Sequence, residues 1–496
     1  MLPDLSYKSA VIDVGSNSVR LVVFQGLVRH PKIMFNERVL CGLGRDLSKT
    51  GEMHAEGVEE AKQTLLRFKY LCEDMEVNEV SVLATAAVRD AKNGPEFADW
   101  ITDNCGFDVQ IISGKREAKL SAYGVLSAFP NAEGLVADLG GGSLELILVS
   151  NGEMQDWISL PIGPLRLNGM ILPKNKSIRD IIDKAIDSVS WLEKARDKPL
   201  YMVGGAWRMM SKLHIKNTHW PSPVLHAYEI QAAAAKTFAK TIAMQGFSTL
   251  VGVRQVPSRR LEILPLAASI LIKLLKATHC KKVVTSAQGI REGYRFSQLP
   301  KEIQRQDPLI EDCKILANRT GRFPEHAQTL MEWIDPVFTF TQESRTDKRL
   351  RFAACLLSDI SWEGHPDFKA ERSFFEAFYG HFIGISHGQR AQLALTLYIL
   401  FGGKYGDSTA KPAFKLLKPS QVNQAVAVGI ALRLGQRLTG GTVSPLKETR
   451  LERKKGRIYL HVPENMEAIA HGAVLSRLKS LATHLNCTHK IKVGTV

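Results

Sequence analysis

The chain has 496 residues, of which 45% are hydrophobic and 23% charged, with a formal net charge of +15. A chain of that length exceeds what one hydrophobic core organises, so about three or four domains are expected. The composition excludes a disordered or fibrous protein, and no apolar run reaches the roughly 18 residues of a membrane span.

The elements follow in chain order. Residues 11–24 carry the spacing of a strand pair, with Gly26 near its end. The stretch 55–73 predicts an amphipathic helix, with Val58, Leu65, Leu66, Tyr70 and Leu71 among its apolar positions. A buried strand is expected at 80–85, a loop at 86–94, and a strand at 109–114 running into a helix over 116–129. The pattern restarts at 135, and Asn151-Gly152 marks a tight hairpin turn. PLYMVGGAWRMM (199–210) reads as a strand, a Gly-Gly turn and a helix start; KKVVTSAQGIREG (281–293) reads as a strand ending in a glycine turn. Strands alternating with helices, twice over, predict an α/β protein of two related lobes. The run ILPLAASILIKLL (263–275) carries Lys273 and is too short to span a bilayer.

Beyond about residue 305 helices dominate, at 327–333, 349–359, 388–401 and 421–437, with a late strand at 456–463 and a helix at 471–485. The expected division is a first lobe over 1–130, a second over 131–305, a helical domain over 306–402 and a basic helical/β region over 403–496. Gly402-Gly403 and the polar stretch after them mark the last boundary. Residues 401–496 hold 16 lysines and arginines against 5 acids, a basic segment that implies a polyanionic partner. Seven scattered cysteines without a Cys-x-x-Cys pair imply reduced, buried thiols. With no charged-then-apolar start, a cytoplasmic location is expected.

The strongest signal is a duplication. AVIDVGSNSVRLVVF (10–24) and LVADLGGGSLELILV (135–149) each run into Asp-x-Gly-x-x-Ser and out into a second apolar run. Asp13, Gly15 and Ser18 align with Asp138, Gly140 and Ser143. A strand–turn–strand of small residues brings backbone N–H groups and a hydroxyl close to a phosphate. Two such loops facing each other would clamp a phosphate chain.

Together with ATAAVRDAKNG, ISGKREAKLSAYG and GIREG (289–293), these loops resemble the Ppx/GppA phosphatase family over 8–300. The resemblance implies two actin-like (ribonuclease-H-like) lobes of the actin/Hsp70/sugar-kinase superfamily. It also implies a mainly helical C-terminal region related to HD phosphohydrolases, a homodimer, and Mg²⁺-dependent removal of terminal phosphate from inorganic polyphosphate or guanosine pentaphosphate. Guanosine tetraphosphate is a further ligand to expect; a membrane and specific nucleic-acid recognition are not.

Hydrolysing a phosphoanhydride needs a water nucleophile and neutralised phosphate oxygens. Gly15, Ser16, Asn17 and Ser18 offer donors from one loop; Gly140, Gly141, Gly142 and Ser143 offer them from the other. Asp13 and Asp138, at strand ends, suit Mg²⁺ directly or through its waters. Arg89 would meet phosphate oxygens, or else pair around Asp90. By the resemblance, Glu117 in SGKREA is the general base and Glu145 a second carboxylate near metal and water; the bland reading of Glu117 is a favourable helix N-terminus. Arg166 in LPIGPLRL resembles a segment that contacts the anion. Gly204-Gly205 sits where superfamily members bind adenosine, but Trp207 and Arg208 replace the expected Thr-x-Arg.

In the helical region, Leu357-Ser358-Asp359 stands where an HD enzyme has His-Asp, so no second active centre is expected and His365 reads as a satisfied histidine. Arg453, Lys454, Lys455 and Arg457 make the densest basic run, either a solvated hairpin tip or, on a dimer, a channel extending the cleft for a polyanion. A non-catalytic polyphosphate or alarmone sensor is the reading from another class.

Overall fold

The computed structural model describes residues 5–170, 177–245, 250–256, 261–339 and 343–494. The chain divides into two compact units, Met1–Gln306 and Asp307–Val496.

The first unit is built on two sheets. One contains β1 (Lys8–Val14), β2 (Val19–Gln25), β3 (Lys32–Val39), β4 (Glu79–Ala84) and β5 (Val109–Ile111), in the order β3-β2-β1-β4-β5. The other contains β6 (Gly134–Leu139), β7 (Leu144–Ser150), β8 (Glu153–Leu160), β9 (Leu200–Val203), β10 (Tyr228–Gln231) and β11 (Lys282–Thr285), in the order β10-β11-β9-β6-β7-β8. In each, the strand bearing the Asp-x-Gly motif forms an antiparallel hairpin on one side and a parallel pair on the other. The sequence duplication is therefore a duplication of topology. β1, β2, β6 and β7 are buried along almost their whole length, as strands covered on both faces must be. Asn151 and Gly152 turn with φ of 53° and 75°, the left-handed pair that a two-residue hairpin between β7 and β8 needs.

The helix Gly114–Ala128 is wedged between the sheets. Its Ala118, Ala122 and Val125 pack with Val136, Ile147 and Val149 of the second sheet. Its Leu120 joins Val11, Val22 and Leu83 of the first. On a third side lies the helix Ile290–Ser297, and the two backbones meet at glycines. A Cβ on Gly293 would overlap the Leu120 carbonyl, and one on Gly124 the Gly289 carbonyl. Only residues without side chains allow that approach, and it seats the GIREG segment against the helix that carries Glu117.

Two local expectations are corrected. The helix Ala55–Asp74 buries Ala61, Leu65, Phe68 and Cys72, a stripe of 3.6 period that leaves Tyr70 66% exposed. The loop after β4 is partly a helical turn, Ala86–Arg89.

The second unit is mainly helical. The helix His387–Leu400 is buried on all sides, with Lys369–Tyr379 and Pro419–Thr439 packed on it. One hydrophobic cluster runs from Leu309 to Ala482, so this unit has one core rather than one on each side of residue 402. A small sheet of β12 (Arg450–Lys454), β13 (Arg457–Val462) and β14 (Thr488–Val493) closes it, with the helix Ala473–His484 between the last two strands. The cysteines are unpaired, and all but the half-buried Cys487 are buried. Among the described residues no helix is long and apolar enough to cross a membrane.

Candidate phosphate clamp and its charged walls

The two glycine loops close in the same way: Gly15 N donates to Ser18 O and Gly140 N to Ser143 O, each at 3.0 Å. They also face each other. A Cβ built on Gly142 would lie 3.0 Å from Ser16 Oγ, and one on Gly141 3.2 Å from Ser16 Cβ. Both loops line one cavity of about 140 Å³, along with Asp13, Glu117 and Asp138 and the arginines Arg38, Arg208 and Arg291.

Strand register determines what stands beside each loop. Asp13 pairs with Arg20 across the first hairpin, and Asp138 with Glu145 across the second. The duplicated frame thus carries a cation in one lobe where it carries a carboxylate in the other. Arg20 in turn pairs with Arg38 on β3, and Arg20 Nε donates to Asn36 Oδ1 at 2.8 Å. Burial, then repulsion from Arg291 with Arg208 and Arg38 adding to it, lowers the Arg20 pKa to about 9. Three guanidinium groups, Arg38, Arg208 and Arg291, therefore line the cavity with Arg20 close enough to repel them, a surplus that suits a polyanion.

The carboxylates are all engaged. Arg291 Nη1 donates to Asp13 Oδ2 at 2.7 Å, Ser121 Oγ to Asp138, and Ser159 Oγ to Glu145 Oε1 at 2.8 Å. Glu117 sits in the first turn of its helix, which Ser113 caps by accepting from Arg116 N. Its Oε2 accepts from Arg89 Nη1 at 3.0 Å, and the same nitrogen reaches Ile112 O at 3.1 Å. Glu117 is 8% exposed and Glu145 1%. Burial pushes the Glu117 carboxyl up to about 7, with Arg89 pulling down and Asp138 and Asp13 adding to the rise. Burial likewise raises Glu145, helped by Glu117 and Asp138, and raises Asp138 against its bond from Ser121. Carboxylates gathered in one dry place cannot all ionise together.

The structure does not bring every expected residue to the cavity wall. Arg89 and Glu145 stand behind it. Arg89 Nε also donates to Asp90 Oδ1 at 3.1 Å, and Asp90 accepts from Arg166, so Arg166, Asp90, Arg89 and Glu117 form one relay of ion pairs. Trp207 is a core residue whose Nε1 donates to Ala267 O at 2.9 Å, whereas Arg208 next to it lines the cavity. Gly204 and Gly205 line the wall, and Gly204 has φ +105° with no room for a Cβ against Leu139 O. Arg453 turns to the other face of its strand from Lys454 and reaches Val337 O, while Lys455 tips the hairpin at φ +49°. Asp359 is gripped by Arg322 through backbone and guanidinium, and His365 is an exposed cap accepting from Asp367 N.

Sequence reasoning missed Arg20 and Arg38, and took Arg208 only as a departure and Arg291 only as part of GIREG. Arg20 stands directly opposite Asp13, and so on Asp13's own face, as Glu145 stands opposite Asp138, a signal within the duplicated motif itself.

Among the described residues no three His, Cys, Asp or Glu side chains gather into a metal cage. That arrangement still fits Mg²⁺, which one or two carboxylates and phosphate oxygens commonly hold through retained waters. Asp13 and Asp138 face the cavity together, and the raised Asp138 and Glu117 mark the negative charge such an ion relieves.

A family model described as the Ppx/GppA phosphatase family matches residues 22–302, and one described as exopolyphosphatase, C-terminal, matches 309–491. The chain is 29% identical over 449 residues to Retrograde regulation protein 2 of Saccharomyces cerevisiae, covering 81% of this chain and 74% of that protein. It is 27% identical over 199 residues, 38% of this chain and 30% of the other, to a bifunctional 3-dehydroquinate synthase/phosphatase of Fusobacterium nucleatum. An exopolyphosphatase structure from Cytophaga hutchinsonii matches with TM-score 0.51 at 24% identity, over 59% of this chain and 97% of that one. A PPX-GPPA enzyme structure from Aquifex aeolicus matches with TM-score 0.50 at 25% identity, over 59% and 99%.

Proposed function

Because the chain belongs to the Ppx/GppA phosphatase family, we propose that it hydrolyses the terminal phosphoanhydride bond of linear inorganic polyphosphate. The observation that carries this reading is the pair of equivalent glycine loops facing each other across one cavity, with Glu117 on its wall.

The terminal phosphate is held between Gly15–Ser18 and Gly140–Ser143, whose N–H groups and hydroxyls meet its oxygens. Glu117 takes a proton from water as the water oxygen bonds to phosphorus; the bond to the bridging oxygen breaks, and the shortened chain leaves with that oxygen. A carboxyl with a pKa near 7 is well matched to this duty at neutral pH. Arg89 holds Glu117 in place from behind. Arg38, Arg208 and Arg291 neutralise the phosphates that follow the scissile one. Asp13 and Asp138 would hold a divalent cation, which when bound supplies charge neutralisation at the phosphate oxygens. The basic run Lys454, Lys455 and Arg457 would guide a long chain.

A guanosine pentaphosphate would present the same terminal phosphate, and the apolar wall of Met209, Ile263 and Leu264 offers a surface for a nucleoside. A second reading, a clamp that binds phosphates without cutting, is favoured by the grip of Arg89 on Glu117 and by the likeness to a protein named for regulation. Phosphate release with Mg²⁺ from long-chain polyphosphate and from guanosine pentaphosphate, with Glu117→Gln as control, separates the readings. Release from polyphosphate that the variant lacks supports the hydrolase. Tight binding of both with no Glu117-dependent release supports the clamp.

A further inference from the structure

The second unit contains a cluster of cations that the proposed hydrolysis does not use. The helix Pro419–Thr439 carries Arg433 and Arg437, one turn apart and so on one face, and has no acidic residue along its length. Against it packs the helix Ala473–His484, which carries Arg477 and Lys479 and likewise no acid. The two helices run antiparallel: His484 Nε2 meets Asn423 O at 3.1 Å, which brings Arg477 beside the turn that holds Arg433. The Arg433 guanidinium fills the space a side chain on Gly402 would take, with Nη2 3.0 Å from that Cβ position.

Among the described residues none of the three arginines is held in an ion pair, and Arg477 Nε is buried without a hydrogen-bond acceptor. Burial lowers the pKa of Arg433, and Arg477 and Arg437 repel it further. Three guanidinium groups in mutual repulsion, one with an orphan buried donor and none with a carboxylate against it, are a costly arrangement. A buried donor left without an acceptor loses its hydration and regains nothing in exchange. An oxyanion removes both costs at once, because guanidinium forks match phosphate oxygens in geometry as well as charge. Arg437 is exposed and leaves a path from solvent.

We infer that Arg433, Arg437 and Arg477 form a second anion site, in the Asp307–Val496 unit, for a multiply charged phosphate group. The group is that of a free pyrophosphate or of a polyphosphate chain; the two share the chemistry the arginines recognise.

The test uses the full chain with arginine selectively labelled with ¹⁵N, in chloride buffer. Arg433→Gln and Arg477→Gln assign the Nε–H signals of those residues. Inorganic pyrophosphate is expected to shift the Arg433 and Arg477 signals saturably, and Arg437→Gln to weaken that titration about tenfold, the loss of one charge-assisted contact. Arg437 is on the surface, so this variant keeps the fold. In phosphate-free buffer it is expected to melt no lower than the parent chain, since it relieves repulsion; a structural role for Arg437 predicts the opposite. Tighter binding of polyphosphate chains longer than pyrophosphate through the same signals assigns the site to polyphosphate, and equal binding assigns it to any pyrophosphate group. No shift at either arginine, or an Arg437→Gln titration unchanged from the parent, overturns the proposal. So does a thymidine oligonucleotide binding through these signals as tightly as pyrophosphate. The signals belong to this unit alone, so the result does not depend on whether the cleft cuts polyphosphate.

Discussion

Replacing Glu117 by Gln should change how stability depends on pH, in a direction the structure determines. The folded-state pKa of Glu117 is about 7 against an ordinary value of 4.5. A carboxyl whose pKa rises on folding binds its proton more tightly in the native state. Its stabilising contribution is full below about pH 4.5 and is lost as pH climbs through 7. The span corresponds to about 3 kcal/mol at 1.36 kcal/mol per pH unit, an upper figure because Glu145 titrates with it. Gln keeps the acceptor oxygen for Arg89 and the volume but has no charge to desolvate. The ion pair with Arg89 forms in the parent only as Glu117 ionises, and its pull is already contained in the pKa of about 7, so it needs no separate allowance. We therefore expect the stability of Glu117→Gln relative to the parent to rise by about 1–3 kcal/mol between pH 5 and pH 8.5 without divalent cation. Urea unfolding followed by tryptophan fluorescence in a chelating buffer measures it. Adding Mg²⁺ should shrink the difference, since a cation lowers the cost of ionising the carboxylate cluster. Stability curves that run parallel across this range would refute the reasoning, and a difference that falls with pH would reverse it.

Other outcomes follow from the same geometry. Glu117→Gln should lower kcat for phosphate release from polyphosphate by about 10²–10⁴, the usual worth of a general base, with binding nearly kept; a residual rate near that of the parent removes Glu117 from the chemistry. Arg38→Gln should raise the KM for tripolyphosphate about tenfold while leaving kcat within a few-fold, as expected for one charge-assisted contact beyond the reacting phosphate; an effect on kcat alone would place Arg38 at the reacting centre. Gly293→Ala should destabilise the first unit by about 1–3 kcal/mol in thermal or chemical unfolding, because its Cβ meets the Leu120 carbonyl and two packed helices must separate. Reversing the charges of Lys454, Lys455 and Arg457 should weaken long polyphosphate far more than short chains in a binding titration; equal loss for both lengths would reject a guiding role.

Much of the first unit was legible in the sequence because its signals are local. A strand buried on both faces must be an apolar run, and a glycine loop between two such runs has few folds open to it. Asp13 and Asp138 could be aligned from sequence for that reason, and both loops do meet at one cavity. In the second unit the helices His387–Leu400 and Pro419–Thr439 were readable from their period, but the one expected at 327–333 runs His326–Phe338, and those at Pro308–Thr320 and Lys369–Tyr379 were missed. The shared core was not legible, since which helix faces which depends on contacts far apart in the chain. The Tyr70 reading failed on phase: an apolar-looking residue one step off the buried stripe faces water.

The sequence by itself determined the duplication, the family resemblance and which acids and small residues the candidate clamp is built from, because these are properties of short stretches and their order. Only the tertiary structure decided the electrostatics. Arg291 reaches Asp13 across 278 positions of sequence, Arg89 reaches Glu117 across 28, and Arg20 meets Arg38 by sheet register. Charge acts through distance in space and through the loss of water around it, and neither is written along the chain. That is why Glu117 could be named from its motif, while its elevated pKa and its arginine partner could be known only once the helix was wedged between two sheets.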